Sequence, residues 1–318
     1  MPRGKQRAPS RVTTVLDLVG NMPLVELPCL SPKPGVRIFA KLEGQNPSGS
    51  VKDRVALALV EAAERRGDLK PGATIVEASS GNTAIALAMV GKQKGYGVHV
   101  VIPEGVAPSI KDILELYGVS ITWCEPRGGM KGAVDLAQRM AEERGYYPLR
   151  QFFDAANTEA HYQTTGREIL DALERVDVFV AGIGTGGTVM GVGRRLRERD
   201  PNVRVIGVAP RMGERLQGLR SLSEGFMSTL LDLKTLDGRY LMDSATATQA
   251  ARRVVETEGI LAGVSSGACL AAALRVAEKM KRGNIVVMFS DGGWKYLPAR
   301  PWDAAQKGEE ALDETHWW

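Results

Sequence analysis

Short apolar runs rich in β-branched residues recur along the chain, each bounded by glycine, proline or charged residues. Runs of about four to eight such residues are typical of strands buried in a parallel sheet. The pattern predicts strands at Arg37–Leu42, Ala73–Glu77, Val98–Ile102, Ile121–Cys124, Val176–Ile183, Val203–Val208 and Asn284–Phe289.

Longer segments with helical periodicity lie between these strands. The predicted helices are Arg54–Arg66, Asn82–Lys94, Lys131–Arg144, Gly187–Arg199, Thr246–Thr257 and Gly267–Lys281. Alternation of strands and helices predicts the α/β class with parallel sheets.

The composition is that of an ordinary globular protein. The chain has 318 residues, 44% hydrophobic and 25% charged, a length that favours two domains. Its net charge of +4 comes from 41 basic and 37 acidic residues scattered along the chain, so we expect no nucleic-acid partner.

No apolar run approaches the ~20 residues of a membrane span, and the basic segment Met1–Arg11 lacks the apolar stretch of a secretory signal.

Cysteine and histidine are too sparse to define a structural site. Cys29, Cys124 and Cys269 lie far apart, and the chain has three histidines, so neither a disulfide framework nor a metal site is predicted. We therefore expect a soluble, cytoplasmic protein.

The strongest local signal is Gly184-Thr185-Gly186-Gly187-Thr188, which follows an apolar strand and opens a helix. Converging backbone N–H groups, the helix dipole and two hydroxyls favour a phosphate there. A tight turn without a ligand is the alternative. A dinucleotide site is disfavoured because the next strand ends in Ala209-Pro210-Arg211, without the acidic residue that binds a ribose.

A second loop, Asn46–Arg54, delivers Lys52 to the first turn of a helix. Cations are disfavoured at a helix N-terminus, so a structural role would more naturally use an acidic residue. The position should lower the pKa of Lys52, which suits an amine that forms an imine. An ordinary surface lysine is the alternative.

Two further helix openings carry small polar residues. Ser79-Ser80-Gly81-Asn82-Thr83 surrounds free N–H groups with hydroxyls and an amide, as a carboxylate site would, or as a simple N-cap would. Gly263–Ala268 is a weaker signal of the same kind, because serine is a common N-cap. Together with the lysine and phosphate loops, these segments predict one anionic ligand that reacts with an amine.

These segments resemble, in order and separation, the cysteine synthases of the fold type II pyridoxal-phosphate enzymes, over Thr14–Leu297. Gly20–Val25 is similar to the family's opening G-N-T-P-L-V, and Lys41–Glu43 with Asn46–Arg54 to its lysine loop. The resemblance implies pyridoxal 5′-phosphate as the cofactor and Lys52 as its Schiff-base lysine.

The resemblance also implies roles for the other loops. Gly184, Thr185, Gly186, Gly187 and Thr188 would bind the cofactor phosphate, Asn82 the ring hydroxyl and Ser265 the pyridine nitrogen, while Ser79, Ser80, Gly81, Thr83 and Gln151 would hold the substrate carboxylate. Met22, Ser79 and Ala84 depart from the commonest family pattern, but none of these changes removes a catalytic group.

The implied fold is like that of the tryptophan synthase β subunit, with the active site between two open, mostly parallel α/β sheets. Residues 45–152 would form a smaller, mobile domain, and residues 10–44 with 153–300 a larger cofactor-binding domain. The C-terminal tail, 301–318, ends in two tryptophans. It is a candidate cover for the active site, with a disordered end as the alternative.

The implied reaction is a β-replacement that makes L-cysteine from an activated serine through an aminoacrylate intermediate. A neutral serine at the pyridine nitrogen favours elimination, and Lys52 would act as the general base. Serine or threonine dehydratase is the enzymatic alternative, and a catalytically silent binding protein on the same fold is the non-enzymatic one.

Arg220, within Gly218–Phe226, stands where O-acetylserine enzymes carry other residues. It resembles the arginine of the O-phosphoserine branch, where a guanidinium binds the leaving phosphate. A solvated surface charge is the alternative. Sulfide, a thiocarboxylated carrier protein and, as in B-type enzymes, thiosulfate stay open as sulfur donors, as does O-acetylserine as a substrate. The resemblance further implies a homodimer.

Overall fold

Two sheets organise the structure, a computed structural model that describes residues 11–79, 81–103, 108–125, 128–222, 226–299 and 314–315. Within these residues the strands are β1 Leu24–Glu26, β2 Val36–Leu42, β3 Thr74–Ala78, β4 Gly97–Pro103, β5 Ser120–Cys124, β6 Tyr147–Pro148, β7 Val178–Gly182, β8 Arg204–Pro210, β9 Gly238–Met242, β10 Gly283–Phe289 and β11 Glu314–Thr315.

The helices alternate with the strands as the sequence predicts. They are α1 Lys52–Arg66, α2 Asn82–Lys94, α3 Pro108–Leu116, α4 Gly129–Arg144, α5 Ala156–Ala160, α6 Gly166–Ala172, α7 Gly187–Arg199, α8 Ser244–Glu258 and α9 Val264–Lys279. A π-helical segment, His161–Thr165, joins α5 to α6 without a break.

The larger sheet has the order β1-β2-β10-β7-β8-β9-β11 and the smaller one β5-β4-β3-β6. All neighbours pair in parallel except the short edge strands β1 and β11, which are antiparallel to β2 and β9. Apolar cores lie on both faces of the larger sheet, one of them under α8 and α9 and the other against α6 and α7. The α/β class with two mostly parallel sheets is therefore confirmed.

All seven strands predicted from the sequence are present, with ends that differ by at most two residues. The sequence pattern missed β9, the short strands β1, β6 and β11, and the helices α3, α5 and α6. The strand β9 alternates between buried and half-buried positions and includes a glycine and an arginine, so it lacks a continuous apolar run. The helix α9 begins at Val264 rather than Gly267, which places Ser265 in its first turn.

The four strands of the smaller sheet all lie within residues 45–152. The division into a small mobile and a large domain stays a prediction. So does the placement of the tail, because residues 301–313 and 316–318 lie outside the described residues. In the part of the chain that the structure describes, no helix is long and apolar enough to cross a membrane.

Arg54 joins the first helix to the larger sheet through buried ion pairs. Its guanidinium donates to both carboxylate oxygens of Glu43, at 2.7 and 2.9 Å, and to both of Glu168, at 2.6 and 2.7 Å. Lys41, on β2, pairs with Glu168 at 2.6 Å. Arg54 and Glu43 are almost wholly buried, so each charge depends on its partners for solvation.

Glu168 also receives the backbone N–H groups of Asn21 and Met22, at 2.9 and 3.1 Å. Although burial alone would raise it, Arg54 and Lys41 hold the pKa of Glu168 at about 2. One carboxylate thus holds the N-terminal segment, α6 and the start of α1 together, and this fixes the position of Lys52 two residues before Arg54.

We predict that Arg54→Met lowers the free energy of unfolding by about 3–5 kcal/mol, because it leaves the buried carboxylate of Glu43 without its ion-pair partner. Urea denaturation at neutral pH measures the change. Arg252→Met is the matched control, since Arg252 pairs with Glu256 on an exposed helix face, and should cost less than about 1 kcal/mol. Equal losses in the two variants would show that the buried network does not stabilise the fold.

Candidate active site

A cleft lies where loops following β3, β7 and β10 meet the first turns of α1, α2 and α9. Ligands of open parallel sheets bind at this carboxyl edge, because the loops and free helix N-termini converge there. Of the predicted site residues that the structure describes, all but Gly187 line the cleft: Lys52, Ser79, Gly81, Asn82, Thr83, Gln151, Gly184, Thr185, Gly186, Thr188, Arg220 and Ser265. Ser80 lies outside the described residues.

Lys52 is the first residue of α1 and lines the cleft. The hydrogen bonds and ion pairs of the described residues include none at its Nζ. Burial lowers the pKa of this amine to about 8, although the charge of Asp291 opposes the shift. The sequence predicted a lowered pKa from the helix dipole, whereas burial is the main cause in the structure. A minor but useful fraction of the amine, roughly a tenth to a fifth, is therefore neutral near physiological pH.

The loop from Gly184 to Thr188 joins β7 to α7. Gly186 has a φ of +87°, which favours glycine, and a Cβ on Gly184 would lie 2.9 Å from the carbonyl oxygen of Gly218. Both positions therefore require glycine, and the loop lines the cleft next to the N-terminus of the thirteen-residue helix α7. This arrangement fits an anionic group such as a phosphate.

Asn82 is hydrogen-bonded to charged groups that do not line the cleft and that the sequence did not indicate. Lys295 Nζ donates to Asn82 Oδ1 at 2.6 Å, and Asn82 Nδ2 donates to Asp291 Oδ2 at 2.7 Å. Tyr296 also donates its hydroxyl to Asp291. Because a lysine ammonium can only donate, the amide orientation is fixed.

Gln151 is oriented by a buried carboxylate. Its Nε2 donates to the Ala78 carbonyl at 2.8 Å, its Oε1 accepts from Thr83 Oγ1 at 2.7 Å, and its backbone N–H donates to Glu77 at 3.1 Å. Glu77 is 4% exposed, and burial raises its pKa to about 7. The sequence indicated Gln151 but missed Glu77, which merely interrupts an apolar run.

Ser79 acts mainly on the backbone of its own loop. Its Oγ accepts from the N–H groups of Gly81 and Ala84, at 3.3 and 3.1 Å. Gly81 is the N-cap residue of α2 and makes no side-chain capping bond, so Ser79 instead accepts a free N–H of the first turn, that of Ala84. The same bonds present the loop and Thr83 to the cleft.

Arg220 lies beside the phosphate loop, and its backbone N–H donates to the Ile183 carbonyl at 2.8 Å. Its guanidinium carbon is 4.7 Å from the ring centre of Phe152 and 4.9 Å from that of Phe226. Aromatic faces attract a guanidinium and restrict its orientation. The sequence did not predict this aromatic pair, because Phe152 and Phe226 lie far apart along the chain.

Comparison with known proteins agrees with this geometry. Residues 15–291 match the model of a family described as pyridoxal-phosphate dependent enzyme. The cysteine synthase of Staphylococcus aureus strain Mu50 is 40% identical over 296 residues, which cover 90% of this chain and 96% of that protein. The cysteine synthase B of Pseudomonas aeruginosa PAO1 is 39% identical over 291 residues, which cover 91% and 97%.

Among solved structures, O-ureido-L-serine synthase superposes with a TM-score of 0.88 at 37% identity, covering 94% of this chain and 98% of that one. The chain belongs to the family of pyridoxal-phosphate dependent enzymes. Its cofactor is pyridoxal phosphate. The cleft fits that cofactor, because it holds an amine without a partner among the described residues and a glycine-rich loop at a helix N-terminus.

We predict that the stability difference between the wild type and Glu77→Gln depends on pH. The pKa of about 7 in the folded protein exceeds the 4.5 of an unperturbed glutamate, so the unfolded state loses this proton first as the pH rises. The stabilisation is present in full below pH ~4.5 and is lost as the pH rises to about 7, by roughly 3 kcal/mol. Glutamine does not titrate and escapes this loss.

Urea denaturation at about pH 5 and about pH 8 measures the two differences. Glu61→Gln, on the exposed face of α1, sets the effect of removing a surface carboxylate. A wild-type-minus-variant difference that stays constant between the two pH values would contradict the raised pKa of Glu77.

Proposed function

We propose that this enzyme makes L-cysteine by β-replacement, from an activated serine and a sulfur donor, with O-phospho-L-serine as the favoured substrate. The reaction exchanges the Cβ–O bond of the substrate for a Cβ–S bond and releases phosphate, without net oxidation or reduction. Relatives about 40% identical over most of the chain are named cysteine synthases. The observation that carries the proposal is the amine of Lys52, which has no hydrogen-bond or ion-pair partner among the described residues, in one cleft with the anion loop and Arg220.

When bound, pyridoxal phosphate supplies an electron sink that stabilises negative charge at the substrate α-carbon. Lys52 would hold the cofactor and, once displaced, remove the α-proton as general base; its pKa of about 8 suits this role. The Gly184–Thr188 loop would bind the phosphate and Asn82 the ring hydroxyl. Ser265, as a neutral group at the pyridine nitrogen, would keep the sink weak enough to favour elimination.

The substrate carboxylate would bind at the opening of α2. Gly81 and Thr83 stand at this helix N-terminus, and the amide of Gln151 lies against Thr83. The N–H groups of a helix opening favour an anion. Through Thr83, the orientation of the carboxylate would depend on the Glu77–Gln151 contacts.

Arg220 would recognise the leaving group. A phosphate ester offers a guanidinium a bidentate, charge-assisted contact that a neutral acetyl ester lacks. Phe152 and Phe226 support the proposal because their two rings, in edge-to-face contact with each other, both lie against the guanidinium and restrict it beside the cleft. The Arg220 side chain is then partly ordered before the substrate binds, which lowers the entropy cost of binding.

Other nucleophiles and partners stay compatible with the cleft. The likeness to cysteine synthase B favours a thiosulfate-using S-sulfocysteine synthase as the second candidate, and an assay with sulfide, thiosulfate and a thiocarboxylated carrier protein separates the donors.

We further propose a cytoplasmic homodimer. Free Cys29, Cys124 and Cys269 fit a reducing compartment.

We predict that cofactor incorporation into the full-length protein, after the cofactor has been removed, becomes faster with rising pH around a midpoint of about 8. Only the neutral amine of Lys52 attacks the cofactor aldehyde, and its pKa is about 8. Stopped-flow absorbance in the visible range follows the reaction. Lys52→Arg should show no such phase, and a midpoint near the 10.5 of an ordinary lysine would contradict the proposal.

We predict that Arg220→Ala lowers turnover of O-phosphoserine roughly ten- to a hundredfold and leaves O-acetylserine turnover nearly unchanged, because one charge-assisted contact is lost. Arg220→Lys should restore part of the loss, since an ammonium keeps the charge without the planar fork. Phosphate or acetate released in single turnovers without a sulfur donor is the measurement.

Arg215→Ala is the matched control, because Arg215 is exposed in the segment that leads to the same loop. It should leave both rates unchanged. Equal losses for both substrates in Arg220→Ala, or a wild type that prefers O-acetylserine, would remove the support for O-phosphoserine.

A further inference from the structure

The hydroxyl of Thr185 is already saturated as a hydrogen-bond acceptor. Asn157 Nδ2 donates to Thr185 Oγ1 at 3.0 Å, and the backbone N–H of Gly187 donates to the same atom at 3.3 Å. A hydroxyl oxygen has two lone pairs and one hydrogen. The hydrogen of Thr185 is therefore the capacity that remains, and Thr185 lines the cleft.

His161, which does not line the cleft, makes a similar contact with the hydroxyl of Thr188. The Nε2 atom of His161 lies 3.1 Å from Thr188 Oγ1, and its Nδ1 lies 3.0 Å from Thr165 Oγ1. A neutral imidazole has one donor and one acceptor nitrogen. Which threonine hydroxyl donates to the ring, and which accepts from it, therefore depends on the ring nitrogen that carries the hydrogen.

The hydroxyl of Thr165 decides the tautomer. Among the hydrogen bonds of the described residues, His161 Nδ1 is the one acceptor available to it, so Thr165 donates to Nδ1. The hydrogen of the imidazole is then on Nε2 and is donated to Thr188. His161 is wholly buried, and this burial, with the charges of Lys52 and Arg54, keeps its pKa well below the ordinary value, so the ring is neutral.

Asn157 and His161 can reach the loop because α7 carries glycines opposite them. A Cβ on Gly187 would collide with Asn157 Oδ1, and one on Gly191 would lie 2.9 Å from His161 Cβ. The two polar residues are four positions apart and thus share a helix face. His161 opens the π-helical segment, an irregularity that is frequent at functional sites.

We propose that His161 and Asn157 are positioning residues that donate to the hydroxyls of Thr188 and Thr185 and thereby direct both hydroxyl hydrogens to the cofactor phosphate. Neither side chain touches the phosphate. The inference rests on the proposed function in one respect, namely that the Gly184–Thr188 loop binds that phosphate. It adds that the loop's two hydroxyls are fixed as donors before the phosphate arrives.

The tautomer of His161 in the cofactor-loaded enzyme tests the proposal directly. Long-range proton–nitrogen correlation spectra of protein labelled with ¹⁵N-histidine distinguish the two neutral forms from imidazolium. The chain has three histidines, and the spectrum of His161→Gln identifies the signals of His161. We expect the Nε2–H form. An Nδ1–H form or an imidazolium would overturn the proposal.

Paired variants test the consequence for binding. His161→Phe removes the donor, whereas His161→Gln keeps an N–H donor at a similar distance. Equilibrium dialysis of the full-length protein should show pyridoxal phosphate binding about tenfold weaker in the Phe variant than in the Gln variant. Binding of pyridoxal, which has no phosphate, should be equal in the two. Equal weakening for both compounds would indicate a merely structural role and overturn the proposal.

Thr188→Ala separates this inference from the proposed function. If it leaves the affinity for pyridoxal phosphate unchanged, the phosphate does not bind at this loop, and the proposed arrangement of the cofactor fails together with the inference. If it weakens the affinity while His161 is in the Nδ1–H form, the loop binds the phosphate and only the role of His161 is wrong.

Discussion

The four hydrogen bonds from Arg54 to Glu43 and Glu168 are the interaction on which the cleft depends. Arg54 belongs to the first turn of α1, whereas Glu43 follows β2 and Glu168 lies on α6, so the ion pairs tie the lysine loop to the larger sheet. Charges buried this deeply are stable only as a complete set, because each would otherwise lose its solvation without compensation. The charged side chains of such a set must keep their relative positions. Because Lys52 precedes Arg54 by two residues, its position is fixed as well.

The other groups of the cleft are also held from behind by residues that do not line it. Lys295 fixes the amide of Asn82, Glu77 contacts the backbone of Gln151, and His161 contacts Thr188. Groups held in this way keep their orientation without a ligand, which reduces the ordering that binding requires. The family resemblance concerns the residues that face the cleft, whereas this outer layer fixes the direction in which each of them points.

Local pattern was enough to predict much of the fold. Strands such as β4 and β10 are continuous apolar runs, and the glycine-rich openings of α2 and α7 mark the ends of strands. The strand β9 was missed because its burial arises from neighbours distant in sequence rather than from its own composition. The beginning of α9 was misplaced by three residues, since serines near a helix start fit an N-cap and a first turn equally well.

Within the cleft, the sequence indicated residues on the lining loops but not their partners. Nothing near Asn82 in the sequence indicates Lys295, which reaches it across 213 positions, and Glu77 reads as a polar interruption of a strand. The lowered pKa of Lys52 was predicted for the wrong main reason, because the depth of its burial depends on packing between the two sheets. Electrostatics of this kind follow from tertiary structure and not from local pattern.

The most direct measurement is the site of covalent attachment in the cofactor-loaded enzyme. Borohydride reduction makes the bond between lysine and cofactor permanent, and peptide mass spectrometry then locates the added mass. We expect it on Lys52, whose amine has no partner among the described residues and whose pKa is about 8. Attachment to another lysine would contradict the structure, and Lys295 is the informative alternative because it is also buried, next to Asn82. The absence of any adduct on the active enzyme would contradict it equally.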